Sequence, residues 1–414
     1  MGEGGDPMHG RAIWRDQLHD RDDARRITIG LLWHSLNSGN LGVGALTLAN
    51  ASIARRVATE LGLKPRFVVM AARDTDVPAV ALPDTHLVPI DWRALAVPGR
   101  LWREMEKVDC VLDIGAGDSF TDIYGPRRFA FLIISKLMAI ARRKPLIFAP
   151  QTIGPFSKGA YKAPAAWVMQ HSRAVFARDE LSREVALAMA PGADVRLSVD
   201  VAFELPFEDR AALRGGDRLR VGINVSGLLY REAEAGTNRF GLSYDYAAFT
   251  KRLLARLAAD PGVEIHLISH ATSNRDPGDD DGALADRLAA DFPAAVRVPD
   301  FAGPSEAKSY ISGLDLLVAA RMHACIGAFS ASVPVVPVAY SRKFAGLFGL
   351  LGYEVMVPIS GVTEDQALAL VMDALDRRAE LAASERAGME RVGQLLDNYR
   401  AVLREAFASV STSA

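Results

Sequence analysis

An arginine and a histidine stand two residues apart in the segment Ala319-Ala320-Arg321-Met322-His323-Ala324-Cys325-Ile326-Gly327-Ala328-Phe329. A permanent cation beside a group that titrates near neutrality suits anion binding coupled to proton transfer. The placement fits that chemistry. The apolar run 316–318 precedes the pair and another, 333–338, follows, so a buried strand hands over to a helix there. In an open α/β sheet that is the carboxyl end of a strand, where ligands bind, and the helix start offers N–H groups to an anion. An arginine capping local carbonyls and a core histidine would give the same string.

Other strand ends repeat the form. Ala177-Arg178-Asp179-Glu180-Leu181-Ser182 reads as a short strand, an arginine and a helix capped by Asp179. Tyr340-Ser341-Arg342-Lys343 follows the last strand candidate and adds Lys343 at the same edge. His270 stands just past the strand 263–269, whereas His266 alternates with apolar neighbours inside it and reads as structural. The turn 35–44 (SLNSGNLGVG), with Asn40 and Gly42, resembles a phosphate-binding loop, yet it is neither GxGxxG nor a P-loop. A plain tight turn explains it equally. Gly115-Ala116-Gly117-Asp118 lets a ligand approach the main chain, and Asp118 could accept a sugar hydroxyl or simply cap a helix. Asp118 and Asp122 as a metal pair is a weaker reading than two solvated carboxylates. There is no Ser-His-Asp order, zinc spacing or dinucleotide fingerprint. The functional weight is cationic: Arg178, Arg321 and Lys343, joined by His323. That suits a small phosphorylated or carboxylated substrate, with Asn40, Gly42, Gly115, Gly117, Asp118 and His270 as loop or acceptor candidates.

The elements that must position these residues alternate. Strand-like runs at 27–33, 67–71, 87–90, 110–114, 145–150, 174–177 and 195–199 are interleaved with helical patterns at 44–61, 129–142, 160–171 and 179–190. A polar stretch, 207–218 (FEDRAALRGGDR), interrupts the series. A second series follows: strands at 219–225, 263–269, 296–298, 316–319 and 335–338, helices at 246–258, 281–291 and 305–312 and after His323. Pro337 weakens the last strand, because proline cannot donate to a ladder. The tail from 363 to 409 reads as wholly helical. Alternation of this kind means right-handed βαβ units and parallel sheets. The expected division is a flexible leader at 1–26, an N-terminal Rossmann-like domain at 27–206, a C-terminal one at 219–362 and terminal helices at 363–414.

Composition narrows the class. The 414 residues are 50% hydrophobic and 24% charged with a formal net charge of -2, so a nucleic-acid partner has no electrostatic support. Two cysteines, Cys110 and Cys325, form no framework and fit a reducing cytoplasm. The leader lacks the apolar core of a signal peptide. The longest apolar stretch, 129–140, is interrupted by Lys136 and is too short to span a bilayer. Arg142, Arg143 and Lys144 follow it and leave peripheral membrane contact open, although a core helix with a basic last turn is the favoured reading. A homo-oligomer also stays open.

Taken in order, SGNLGVGAL, GAGDSF, APQTIGPF, ARDELS, SVDVAFEL, VGINVSG, ARMHACIGAF and PVVPVAYSRKF resemble the polysaccharide pyruvyl transferase family over about 27–352. The resemblance implies a two-lobed arrangement like that of GT-B glycosyltransferases, and transfer of pyruvate from phosphoenolpyruvate onto two sugar hydroxyls as a cyclic ketal. It implies that Arg178, Arg321 and His323 bind the donor, and it matches Lys343 to the lysine of the YxxK element. The acceptor would be a nucleotide-linked, lipid-linked or glycan-terminal sugar. Val43 and Gly44 stand where the family often has acidic residues, and Gly-Ala-Gly-Asp replaces a run of three glycines, so the acceptor stays open. The scheme needs no cofactor and no metal. It asks fixed cations to hold carboxylate and phosphate and a group titrating near neutral pH to move the proton, for which His323 is best placed. A GT-B glycosyltransferase using a nucleotide sugar, or a silent sugar- or anion-binding protein, would use the same cleft.

Overall fold

The computed structural model describes residues 25–72, 80–115, 119–157, 159–272 and 277–412. Residues 1–24 of the expected leader, Gly117 and Asp118 therefore lie outside the described residues, and Arg26 already belongs to the first strand. The first series comprises β1 (Arg26–Leu32), α1 (Leu41–Glu60), β2 (Lys64–Ala71), β3 (Thr85–Pro89), α2 (Arg100–Lys107), β4 (Cys110–Asp113), β5 (Ser119–Phe120), α3 (Pro126–Ala141), β6 (Leu146–Ile153), α4 (Gly159–Gln170), β7 (Ala174–Ala177), α5 (Glu180–Met189) and β8 (Val195–Leu197). The second comprises β9 (Leu219–Asn224), α6 (Gly227–Glu234), α7 (Tyr246–Ala258), β10 (Val263–Ile268), α8 (Asp281–Asp291), β11 (Val296–Arg297), α9 (Pro304–Ile311), β12 (Leu316–Ala319), α10 (Met322–Ser330), β13 (Val335–Pro337) and α11 (Arg342–Leu350), followed by α12 (Glu364–Asp376) and α13 (Arg378–Thr412).

Two separate sheets result. The first runs β3-β2-β1-β4-β6-β7-β8 with β5 beside β6, the second β11-β10-β9-β12-β13. Every pairing is parallel; Ile29, for example, lies opposite Phe67 on one side and Cys110 on the other. Helices cover the sheets, which is why β4, β7 and β12 are buried along their whole length and read as unbroken apolar runs. Pro337 is accommodated because β13 is the edge strand. In each sheet the strand order reverses beside the first strand, between β1 and β4 and between β9 and β12. These switch points are where an open α/β sheet leaves a crevice.

The lobes are tied together at several places. Helix α1 is buried along most of its length and starts against the second lobe, where Leu41 N donates to His270 O at 3.1 Å and Thr272 N to Gly39 O at 3.0 Å. A Cβ on Gly39 would lie 2.2 Å from Thr272 O, so the close approach requires glycine. The tail is two helices, and α13 returns to the first lobe: Tyr399 Oη donates to Asn50 Oδ1 at 2.7 Å and its ring meets Phe176 edge-on. No helix among the described residues is long and apolar enough to cross a membrane. The apolar stretch in α3 faces the core through Phe129, Phe131, Leu132, Ile133 and Met138. Its basic end is occupied: Arg142 pairs with Glu106 and Lys144 donates to Glu106 O.

Candidate active site

The second lobe's switch point is organised around Asp281, a carboxylate with no solvent exposure at the start of α8. Its oxygens accept from the amides of Gly227, His270 and Ala271, which link the ends of β9 and β10. Arg321 follows β12 in extended backbone, and its amide donates to Asn224 Oδ1 at 3.0 Å. Its guanidinium reaches Asp281 and Asp279, each at 2.6 Å. Burial opposes the charge of Arg321, but the two carboxylates outweigh it and hold the guanidinium above its ordinary value. Arg321 is thus a fixed cation tied to two acids.

His323, in the first turn of α10, leaves that network and faces the first lobe. A Cβ on Gly42 would lie 2.2 Å from its Nδ1, so the imidazole rests against the start of α1. On its other side His323 Nε2 is 3.8 Å from Asp200 Oδ2. The same Asp200 oxygen accepts from Arg178 Nη1 at 2.7 Å, and Asp200 Oδ1 caps the 3₁₀ turn Val201–Glu204 through Ala202 N at 2.9 Å. Arg178 and His323, 145 positions apart in the chain (323 − 178), therefore meet on one buried carboxylate contributed by neither motif.

The remaining candidates divide. Lys343 opens α11, whose Gly346 lies against Asp179, so this helix start stands beside the helix that follows Arg178. Asp179 caps α5 by accepting from Ser182 N at 2.8 Å. Asn40 caps α1, accepting from Gly42 N at 3.0 Å. With Leu41 N bonded to His270 O across the lobes and Val43 N to Asn40 O within the turn, the glycine-rich turn uses these amides internally and in the lobe contact rather than presenting them to an anion. His270 is buried, and burial together with the neighbouring His323 and Arg321 pulls its imidazole down to about 3, so it stays neutral. Gly115 adopts φ 62° and packs on Gln151, whose Nε2 donates to Asp113 O at 3.0 Å. Below that turn Lys136 and Asp113 form a fully buried ion pair at 2.8 Å. Asp122 accepts from the amide and hydroxyl of Ser157.

Sequence reading missed Asp200, Asp281 and Lys308. Lys308, on α9, donates to Phe203 O at 3.2 Å and Leu205 O at 3.0 Å, and burial pulls its ammonium down to about 7. It lines a small enclosed space at the lobe junction with His270, His323, Ala45 and Ala202.

Two lobes with parallel sheets, joined at facing strand ends, define a GT-B-like transferase scaffold. HepE of Anabaena, solved with UDP, superposes with a TM-score of 0.54 at 11% identity, covering 94% of this chain and 100% of that one. A Listeria monocytogenes protein assigned as a UDP-N-acetylglucosamine 2-epimerase gives 0.55 at 12% identity, covering 87% and 91%. The profile described as polysaccharide pyruvyl transferase matches residues 23–342, and the chain belongs to that family. It is similar to the amylovoran biosynthesis protein AmsJ of Erwinia amylovora, 24% identical over 306 residues that cover 70% of this chain and 72% of that protein. The chain is accordingly an enzyme of the polysaccharide pyruvyl transferase type, with a sugar or glycan acceptor.

Proposed function

We propose that this enzyme takes its pyruvyl group from phosphoenolpyruvate and closes it as a cyclic ketal on two hydroxyls of one sugar, releasing phosphate. The observation that carries the reading is the meeting of Arg178 and His323 on Asp200 across the lobe junction, with Arg321 fixed two residues away. Phosphoenolpyruvate bears a carboxylate and a phosphate, and permanent guanidinium cations suit both. Arg178, Arg321 and Lys343 are the donor-binding residues in this reading. No cofactor or metal takes part.

The bonds balance without an added reactant. The methylene carbon of the enol phosphate takes a proton and becomes a methyl group. C2 turns electrophilic, and the first sugar hydroxyl adds there and loses its proton. The C2–O bond to phosphate then breaks, and the second hydroxyl closes on C2. Two protons leave the diol; one ends on the methyl carbon and the other on phosphate. His323 delivers the first proton as imidazolium and recovers one from a hydroxyl. Asp200 stabilises that imidazolium and orients Arg178. Negative charge growing on the leaving phosphate is met by cations already in place.

The test incubates the chain with phosphoenolpyruvate and a panel of sugar acceptors, following phosphate release and the mass of a pyruvyl ketal. Equal phosphate and ketal yields are expected. Release of a nucleoside diphosphate from a nucleotide sugar, with phosphoenolpyruvate left intact, would overturn the reading in favour of glycosyl transfer.

A further inference from the structure

The first lobe carries a surface that the reaction does not use. After β3 the chain makes a compact turn over 91–99, in which Leu95 N donates to Asp91 O and Gly99 N to Ala96 O. That turn holds Trp92 at 50% exposure and Val97 at 64%. Beside it, the approach to α3 leaves Ile123 at 54% and Tyr124 at 46%. The two segments are one patch: the Trp92 ring packs 4.3 Å from Phe131 of α3, and the Arg127 guanidinium lies over it at 5.8 Å. Arg128 stacks on Tyr124 at 4.3 Å. Arg93, Arg100, Arg103 and Arg127 are all exposed. Among the described residues no carboxylate pairs with any of these four. The nearby acids are committed elsewhere: Asp91 to Ala94 N, Glu104 to Lys107 and Glu106 to Arg142.

We propose that this face docks the enzyme on an anionic membrane surface. Arginines without acidic partners, in a chain of net charge -2, put positive charge on the turn after β3 and on the neighbouring helices α2 and α3. A soluble polyanion would be served by the arginines alone. The protruding Val97 and Ile123, flanked by Trp92 and Tyr124, add the apolar and aromatic groups that partition into the headgroup boundary. The contact is peripheral, through side chains of a turn and a helix end. It also brings a crevice of the first lobe to the membrane. A cavity of about 220 Å³ opens at the carboxyl ends of β1, β2 and β3, lined by Ser35, Asn37, Leu87, Pro89 and Arg100, and the patch borders it through Arg100. The docking stands on this surface alone and does not depend on which group is transferred.

The experiment sediments the full chain with phosphatidylcholine vesicles and with vesicles containing phosphatidylglycerol, at low and high salt. Binding is expected to the anionic vesicles only and to weaken with salt. Brominated acyl chains should quench fluorescence in the wild type and not in Trp92→Phe. The triple variant Arg93→Glu, Arg103→Glu, Arg127→Glu should lose about 10²-fold in vesicle affinity, at roughly fivefold for each basic residue. Its turnover on a water-soluble acceptor and its melting temperature should stay at wild-type values. Equal binding to both vesicle types, no binding to either, or salt-sensitive binding to heparin with no quenching by brominated lipid would each overturn the proposal.

Discussion

Replacing Asp200 by asparagine removes one charge and one acceptor. Oδ1 can still accept from Ala202 N, but the NH2 that replaces Oδ2 cannot accept from Arg178 Nη1. What disappears is a negative charge 3.8 Å from His323 Nε2. At that separation the attraction for an imidazolium is about 1 kcal/mol in water's dielectric and about 4 kcal/mol at an effective value near 20. His323 is 14% exposed and Asp200 not at all, so a figure inside that range, about 2 kcal/mol, is appropriate. The imidazolium of His323 would then be less favoured, so it would lose its proton more readily as the pH rises. If the imidazolium is the acid that protonates the donor, turnover at pH 7.5 should fall by about 10–10²-fold and recover as the pH is lowered. Arg178 meanwhile loses its neutralising partner and stays cationic, so the KM for phosphoenolpyruvate should hold or fall. The assay is a pH–rate profile of kcat and KM for wild type and Asp200→Asn, with a histidine NMR titration in the absence of substrate as the readout independent of turnover. A variant profile that overlays the wild type after scaling, or a raised KM with unchanged kcat, would refute the coupling of Asp200 to His323.

Gly42→Ala should push the His323 ring from its place, because the new Cβ would lie 2.2 Å from Nδ1; turnover should drop by about 10-fold or more in steady-state assays while the melting temperature moves little. Lys136→Ala leaves Asp113 buried without its cation and should cost about 3–5 kcal/mol by urea denaturation, whereas the double variant Lys136→Met, Asp113→Leu should recover most of it. His34 and His270 are held neutral in the folded chain down to about 3, against 6.5 when unfolded, so the stability they give is complete above pH 6.5 and declines as pH falls from there towards 3. Urea midpoints between pH 7.5 and 5 should show His34→Gln flattening that decline by about 1.4 kcal/mol per pH unit; an unchanged slope would contradict the neutral imidazole.

The arginines and His323 drew notice because each follows an apolar strand, and an open α/β sheet leaves its crevice at such strand ends. Their partners did not. Asp281 opens the helix read at 281–291 and is the third of three consecutive aspartates, 279–281; nothing local marks it as the buried one. Asp200 follows the strand read at 195–199 and lies in SVDVAFEL, but it opens a single 3₁₀ turn, and the sequence does not show that its carboxylate meets Arg178 and His323. Lys308 stands inside the helix read at 305–312, where nothing in the pattern sets it apart, yet its ammonium reaches two carbonyls of the other lobe. Lys136 did carry a signal, as the one charge inside the apolar stretch 129–140, and the partner that explains it lies 23 positions earlier (136 − 113). The path of α13 back to the first lobe was beyond reach, because a helical pattern states which face is apolar and not which domain it covers.

These contacts make the site a property of the lobe junction. Arg178 and Asp200 belong to the end of the first sheet, and His323 and Arg321 to the second. Their spacing is set by what holds the lobes in register: the backbone contacts of Gly39 and Leu41 with Thr272 and His270, the bonds from Lys308 to Phe203 and Leu205, and Arg214, which donates to Ser312, Ala331 and Ser332 from the connecting segment. Each uses backbone carbonyls or amides, so side-chain repacking in either core leaves it intact. If Arg178 binds the donor as proposed, the donor anion competes with Asp200 for the guanidinium, and whatever hold Asp200 loses on Arg178 is free to act on the imidazolium of His323. Donor binding and the charging of the proposed acid are then linked through one buried oxygen, so the acid would be poised when the donor is present.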